Sequence, residues 1–445
     1  MAEVVMSVSG NNEMKTDTTP RVIVCCGGMV IVAGLERMTF EVLRTLRQRG
    51  AAVHCIVNNW ENHRIVALAD QIGASWSTGY YRVGFGRRLF NPLYLAKFLW
   101  DVAMTSLGLL RDAWRFRPTH VLLPDFVAVL KNAPALLLLR GLGVKAILRV
   151  GNHPSPGKFY RFVWAKIVAP LVNLIVPNSY FSSGKLLEAG VPAAKTRVIR
   201  NAVSERFIEL ESDGEIIQLV KSRRTILCVG QIAPFKGTHL AVEAGLKLLA
   251  EGENVQVAIV GRLPNWPPEF VEYVQVLQSR IDRAGASERI RFVGECQNVA
   301  EIMRGSYLLV TPILQEETFG NIALEAKHVG LPVVTFPTGG LLELVDHQRT
   351  GYVCHDSTLE SLLEGIRYFL DHPAARDAAG AACLEEVRQP DYPYSHTAFQ
   401  TAWWEVFGMA DGCAESSGCH VESSDPKTSL SPERAQVNSR GQRPR

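Results

Sequence analysis

Short apolar runs bounded by Gly, Pro and Asn alternate along the chain with longer stretches whose apolar residues recur every three or four positions. The first unit reads RVIVCCGG from Arg21, then LERMTFEVLRTLRQRG, then AAVHCIVNN. Leu35, Met38, Val42 and Leu46 fall on one helical face, and Gly50 ends it. A strand, a crossover helix and a second strand require a parallel sheet. Further strands are predicted at THVLLPD, VKAILRV and VNLIVPN, with a helix rich in Leu, Trp and Phe over residues 92–117. A second series starts at RTILCVG and continues through the helix THLAVEAGLKLLAEG and the strands VQVAIVG, RIRFVGE, SYLLVTP and LPVVTF. Between the two series lies an acidic, aperiodic stretch around residues 201–222. The pattern predicts two doubly wound α/β domains, residues 21–203 and 223–388, joined by a linker over 204–222. A final helix is expected over 389–411, and the polar termini, 1–20 and 412–445, are expected to be disordered.

A length of 445 residues exceeds what one hydrophobic core usually supports, in keeping with two domains. Hydrophobic residues at 47% and charged residues at 20% mark a globular chain. The nine cysteines are scattered without a C-x-x-C pair, which points to reduced thiols in a reducing compartment. Residues 1–20 lack the basic start and apolar run of a signal peptide. Lys97, Asp101, Lys131, Arg140 and Lys145 interrupt the longest apolar stretches, which argues against a spanning helix. The expected location is cytoplasmic, with a peripheral place at the inner face of the membrane left open as an option.

The net charge of +3 hides an asymmetry. Residues 21–203 hold 24 Lys and Arg against 8 Asp and Glu, net +16, whereas residues 204–445 hold 22 against 33, net −11. So basic a half attracts anionic lipid surfaces, phosphorylated acceptors or nucleic acid. No nucleic-acid-binding motif accompanies the charge, so nucleic acid is not an expected partner. Arg82, Arg87, Arg88 and Lys97 lead into the helix that carries Trp100, Leu107 and Trp114. That helix reads either as an interfacial membrane element or as a core helix with exposed basic residues, and core packing is the expectation for its aromatic stripe.

The densest chemistry runs from Glu316 to Val353, EETFGNIALEAKHVGLPVVTFPTGGLLELVDHQRTGYV. Glu317 follows a strand, and a helix is expected to start near Phe319 and Gly320. Glu325 lies eight positions on, about two turns, so it can face the same side. A helix N-terminus presents unpaired N–H groups and a positive dipole end, which suits a diphosphate. Flanking carboxylates can accept hydrogen bonds from sugar and ribose hydroxyls. The strand PVVTF then leads into Gly339 and Gly340, a second tight loop on the same face.

This segment resembles the E-x7-E signature of the retaining glycosyltransferases of family 4, which have the GT-B fold. The resemblance continues through the double-glycine loop, Glu343 and the T-G-Y-V turn. It implies an α/β chain of two facing Rossmann-like domains with the active site in the cleft between them. It further implies that Glu317 contacts the transferred sugar and Glu325 the ribose of the nucleotide. CVGQIAPFKGTHLAVEA, from Cys228, is similar to the family's segment that offers an arginine and a lysine to the donor diphosphate. Lys236 fits the lysine and would neutralise charge on the departing diphosphate. Gln231 stands at the arginine position and can donate a hydrogen bond but carries no charge.

In the first domain Gly27, Gly28 and Gly34 resemble the family's glycine-rich loop, interrupted here by the apolar run Met29 to Ala33. His153 is similar in position to a histidine facing the transferred sugar, where it would bind the sugar or assist acceptor deprotonation. Asn201, in VIRNAV, resembles a hinge asparagine and is read as structural. Arg262 follows a strand where the family has a turn near the base, and no charged contact to the ligand is expected of it.

The residues expected to carry catalysis are therefore Glu317, Lys236 and His153. Gln231, Phe319, Gly320, Asn321, Glu325 and Gly34 are expected to bind the donor. No Asp-x-Asp pair is present, and neither metal nor cofactor is expected, the nucleotide sugar being a substrate. The implied reaction moves a sugar, with retention, onto an acceptor hydroxyl of a carbohydrate or lipid-linked acceptor. Cell-envelope glycan, glycolipid or polysaccharide synthesis is its setting. The alternatives are another GT-B enzyme, such as a phosphorylase or epimerase, and a catalytically weak nucleotide-sugar-binding protein, the latter motivated by Gln231.

Overall fold

A computed structural model describes residues 19–29, 34–82, 84–203, 214–265, 267–296 and 298–408. The first sheet comprises β1 (Arg21–Cys25), β2 (Ala52–Asn58), β3 (Ser75–Gly79), β4 (His120–Leu123), β5 (Lys145–Val150) and β6 (Leu174–Pro177), ordered β3-β2-β1-β4-β5-β6. The second comprises β7 (Arg224–Val229), β8 (Val255–Val260), β9 (Ile290–Gly294), β10 (Leu308–Thr311), β11 (Val333–Thr335) and β12 (Gly351–Val353), ordered β12-β11-β10-β7-β8-β9. All pairings within the sheets are parallel. Numbered from its own first strand, each sheet has the same doubly wound order. That order opens a crevice at the C-terminal ends of the first and fourth strands. Helices cover both faces, so every residue of β4 and β8 is buried.

Two strands escape the hydrophobic pattern. β3, SWSTG, is an edge strand with Ser75, Trp76 and Thr78 exposed and has no apolar face to reveal it. β12 is three residues long and lies within what the sequence presents as a turn. The helix α1 (Gly34–Gln48) forms the first crossover, and α2 (His63–Gln71) the second.

The stretch read as a linker is only partly described. Gly214–Lys221 is a helix packed on β7 and on the helix Val299–Gly305, hence part of the second domain's structure. Residues 204–213 lie outside the described residues, as do the expected disordered segments over 1–18 and 409–445. The final helix, His396–Gly408, returns to the first domain and packs on α1. Its Phe399, Trp403 and Phe407 are buried in one cluster with Phe40, Val42 and Leu46. All seven described cysteines are free thiols.

The long helix α3 (Pro92–Phe116) corrects one expectation. Its aromatic stripe does not pack into the core: Trp100 and Trp114 are 61% and 82% exposed. By length and composition α3 is also the one helix among the described residues apolar enough to cross a membrane, despite Lys97 and Asp101. The interrupting Asp101 is buried against Lys131, at 2.8 Å, instead of facing outward.

Candidate functional site

The crevices of the two sheets face each other and enclose a cleft of about 610 Å³. Its second-domain wall is built from three close backbone approaches. Gly237, with φ +70°, precedes the helix Thr238–Ala250, and a Cβ there would lie 1.8 Å from the Pro312 carbonyl oxygen. Gly339, with φ +57°, lies so near the loop after β10 that a Cβ would lie 2.0 Å from the Glu317 carbonyl oxygen. The Gly340 N–H donates to that same oxygen at 2.8 Å. Only glycine fits such a left-handed, crowded position without strain. The double-glycine loop thereby clamps the backbone at Glu317 to Gly320.

Lys236 sits in a short turn before its helix, and its Nζ lies 2.6 Å from Glu317 Oε2. The ion pair is partly exposed to the cleft, which Gly320, Asn321 and Ile322 also line. The helix here is Asn321–His328, with Gly320 in the left-handed region as its cap. It begins one or two residues later than expected, so Glu317 is a loop residue and Glu325 lies about one turn into the helix. The first-turn N–H groups of this helix border the cleft beside the Lys236 ammonium, an arrangement that suits an anion.

The first-domain wall is tied to this one by direct hydrogen bonds. Thr318 Oγ1 donates to the Gly151 carbonyl at 2.8 Å, and the Thr318 carbonyl accepts from Ser179 Oγ at 2.6 Å. Asn201 Nδ2 donates to Asn321 Oδ1 at 2.9 Å. Glu343 accepts from the backbone N–H groups of Tyr180 at 3.1 Å and Phe181 at 2.7 Å. It thus caps the helix Tyr180–Glu188 from the other domain. Lys185 Nζ pairs with Glu316 Oε1 at 2.8 Å.

Of the expected residues, Lys236, Glu317, Gln231, Phe319, Gly320, Asn321 and Gly34 all line the one cleft. Gln231 is exposed there, whereas Phe319 is buried and contributes backbone, its ring packing on Tyr394 at 5.9 Å. A Cβ on Gly34 would lie 3.0 Å from Asn321 Nδ2, so glycine permits a close approach between the domains. His153 and Glu325 are not among the lining residues. His153 Nδ1 lies 3.0 Å from the Pro154 carbonyl, which can only accept, so Nδ1 carries the proton. Its Nε2 faces Glu316 at 3.5 Å, at the domain seam. Glu325 is half-buried, and burial pushes its carboxyl up to about 7 against the opposing pull of Arg37 on α1. Arg262 forms an ion pair with Glu295 at 2.7 Å. Gly27 lies under Tyr81, where a Cβ would meet the ring at 1.8 Å, and residues 30–33 of the apolar run lie outside the described residues.

Arg149 was not singled out by the sequence. It is buried on the cleft's first-domain wall, donating to Asn201 Oδ1 at 3.1 Å and to the Leu35 carbonyl at 3.3 Å. Burial lowers its guanidinium to about 10, opposed by Glu36. Its place at the end of β5, just before Gly151, was the available signal. Among the described residues no three His, Cys, Asp or Glu side chains gather as a metal site.

Residues 211–383 match the family model for glycosyl transferases group 1. The lipopolysaccharide core biosynthesis mannosyltransferase LpcC of Rhizobium leguminosarum bv. viciae is 31% identical over 180 residues, 40% of this chain and 50% of that protein. The D-inositol 3-phosphate glycosyltransferase of Nocardioides sp. (strain ATCC BAA-499 / JS614) is 29% identical over 267 residues, 57% of each. The chain thus matches between half and three fifths of the length of these curated relatives. The crystal structure of Anabaena Alr3699/HepE in complex with UDP and glucose superposes with a TM-score of 0.69 at 18% identity, over 88% of this chain and 100% of that chain. At this identity the likeness is one of fold, the GT-B arrangement of two Rossmann-like domains.

Proposed function

We propose that this chain is a glycosyltransferase that moves a sugar from a nucleotide-sugar donor to an acceptor hydroxyl, with retention, in the synthesis of a cell-envelope glycan, glycolipid or polysaccharide. The observation that carries the reading is the Lys236–Glu317 pair, 2.6 Å apart in the interdomain cleft beside the start of the helix Asn321–His328. It lies within the segment matched by the glycosyl transferases group 1 model. The similarity to an LPS core mannosyltransferase supports a glycan product.

In this reading the diphosphate lies against the first-turn N–H groups at Asn321 and Ile322, and the Lys236 ammonium neutralises the charge that grows as the diphosphate leaves. Glu317 accepts hydrogen bonds from the sugar hydroxyls and holds Lys236 in place when the cleft is empty. The acceptor enters from the basic first domain, and its hydroxyl attacks on the face from which the diphosphate departs, through an oxocarbenium-like transition state, its proton passing to the departing diphosphate oxygen. His153, hydrogen-bonded through Nδ1 to Pro154, orients the seam next to that face.

A thermal-shift screen of the full chain against uridine, guanosine and adenosine diphosphate sugars tests donor binding, because a ligand bound only by the folded state raises the melting temperature. The active donor should then support transfer, and Lys236→Met should lower kcat/KM by about 10²–10³-fold. No shift with any nucleotide sugar would overturn the donor site. A shift without turnover on any acceptor would favour the second reading, a nucleotide-sugar-binding protein. The exposed, uncharged Gln231 in the cleft is the observation behind that reading.

A further inference from the structure

Helix α3 is apolar on both sides. Its inner side buries Phe98, Leu109 and Ala113 in the core together with Asp101, Thr105, Ser106 and Asp112, and each of these four polar residues has a partner. Asp101 holds Lys131 and accepts from the Arg82 N–H at 3.1 Å. Ser106 donates to the Lys131 carbonyl at 3.2 Å, and Thr105 to the Tyr80 carbonyl at 2.6 Å. Burial raises the Asp112 carboxyl, but the nearby His54 ring and hydrogen bonds from Arg111 and Ser77 outweigh it and hold the group well below the usual carboxylate range. The outer side carries Leu93, Trp100, Leu107 and Trp114, which are 77%, 61%, 60% and 82% exposed. A spacing of seven residues is just under two turns, so the four form one slowly drifting stripe. Exposed Leu137 and Leu138, on the helix Ala133–Gly141 packed beside α3, widen it.

The stretch of chain that carries this stripe is strongly basic. Residues 71–187 contain 15 Lys and Arg and only 3 Asp or Glu, net +12. The three acids all turn inward: Asp101 and Asp112 are buried, and Asp125 caps a helix by accepting from the Ala128 N–H at 2.7 Å. Lys97 and Arg115 are exposed along the stripe, and Lys158 and Arg161 lie beside an aromatic cluster at its end. There Phe85 stacks on Phe159 at 6.0 Å and Phe90 packs against Phe159 at 6.5 Å. Phe159 follows Gly151 and Asn152 of the cleft wall by only a few residues.

We propose that this face docks on an anionic lipid bilayer, with α3 lying in the interface, its Trp and Leu stripe in the acyl boundary and its basic flank on the headgroups. A contiguous apolar surface rimmed by cations matches what such helices present to membranes. Tryptophan favours that boundary because its ring is apolar and its N–H polar. A second copy of the chain would set one strongly basic face against another, which charge repulsion opposes. The other side of α3 is committed to the sheet through satisfied polar groups, so the helix lies along the surface instead of spanning it. The aromatic cluster then brings the mouth of the cleft to the lipid surface, where a lipid-linked acceptor would present its headgroup.

Flotation of the full chain with vesicles of phosphatidylcholine alone, or with phosphatidylglycerol added, tests the proposal. Binding should require phosphatidylglycerol and fall with salt, and the W100S/W114S double variant should bind roughly tenfold more weakly or worse. Both side chains are exposed, so its thermal melt should match that of the parent. Should the variant misfold, quenching of parent tryptophan fluorescence by brominated acyl chains reads the same contact. Equal binding to neutral vesicles, binding untouched by the double variant, or absent bromine quenching would each overturn the proposal. So would a concentration-dependent dimer that the same substitutions break without any vesicle binding, which assigns the face to a second copy.

Discussion

The two domains repeat one sheet topology, yet their crossovers between third and fourth strands differ. In the first domain this crossover is α3, 25 residues long, with Leu93, Trp100, Leu107 and Trp114 exposed on its outer side. In the second its last element is the seven-residue helix Val299–Gly305, with Ala300, Ile302 and Met303 buried and an Arg304–Glu301 pair outside. The short helix suffices to close the sheet connection. The additional length and the exposed apolar stripe of α3 are therefore not demanded by the fold, and they fall in the domain with a net charge of +16. One half of the molecule has specialised its loops toward the cleft, and the other its outer surface.

The largest effect expected from this contrast lies on the inner side of α3. Asp101→Ala strands the Lys131 ammonium in a buried site, and loss of one partner of a buried pair costs about 3–5 kcal/mol. Trp114→Ser, on the outer side, should change stability by no more than about 0.5 kcal/mol, as substitutions at exposed positions do. Chemical denaturation of both variants measures the pair. A conventional core helix would reverse the order, because removal of a buried tryptophan costs about 3–5 kcal/mol.

A smaller effect joins the halves through charge. Burial raises Glu325 to about 7 in the folded state from an ordinary value of 4.5, while Arg37 of the other domain pulls it down. The folded state therefore holds this proton more tightly than the unfolded one. The contribution to stability is fully present below pH 4.5 and is lost as pH rises through about 7. Glu325→Gln removes the titration, so the variant should match the parent near pH 4.5 and exceed it above pH 7 by about 1–3 kcal/mol. Melting curves across that range check it, and a constant difference at all pH values would remove Glu325 as the cause.

The same contrast explains what was legible. Gly339 and Gly340 stand where backbone meets backbone, and Gly320, with φ +98°, stands where a Cβ would meet the Leu341 side chain, so the geometry of the loop at Glu317 leaves its mark directly in residue identity. Lys236 and Glu317, 81 positions apart, could be paired because the resemblance placed both on one ligand. The polarity of α3 left no such mark. Its two faces both carry large apolar residues at helical spacing, and what turns Asp101 inward is Lys131, while Ser77 on β3 holds Asp112. β3 has no hydrophobic alternation, so neither the strand nor its partner was visible. Contacts that close the cleft, such as Thr318 to Gly151 and Asn201 to Asn321, depend on how the domains face one another, which periodicity within either domain does not encode.

Glu343 offers the finest test of how the halves are joined. The helix Tyr180–Glu188 already has a local cap, since Ser179 Oγ accepts from the Ser182 N–H at 2.9 Å. The Glu343 carboxylate supplies a second cap from the opposite domain, through the Tyr180 and Phe181 N–H groups, and its charge suits the positive end of the helix. Glu343→Ala should therefore cost about 1 kcal/mol, the usual value of a cap, and the loss should fall on closure because the local cap remains. Small-angle scattering of the variant should show a larger radius of gyration than the parent, with the circular dichroism of the folded domains unchanged. The Tyr394 hydroxyl still donates to the backbone carbonyl of residue 343, so the loop itself keeps its anchor. An unchanged radius of gyration would mean that the remaining contacts, the Thr318 and Asn201 bonds and the Lys185–Glu316 pair, hold the cleft closed, and that the second cap is redundant.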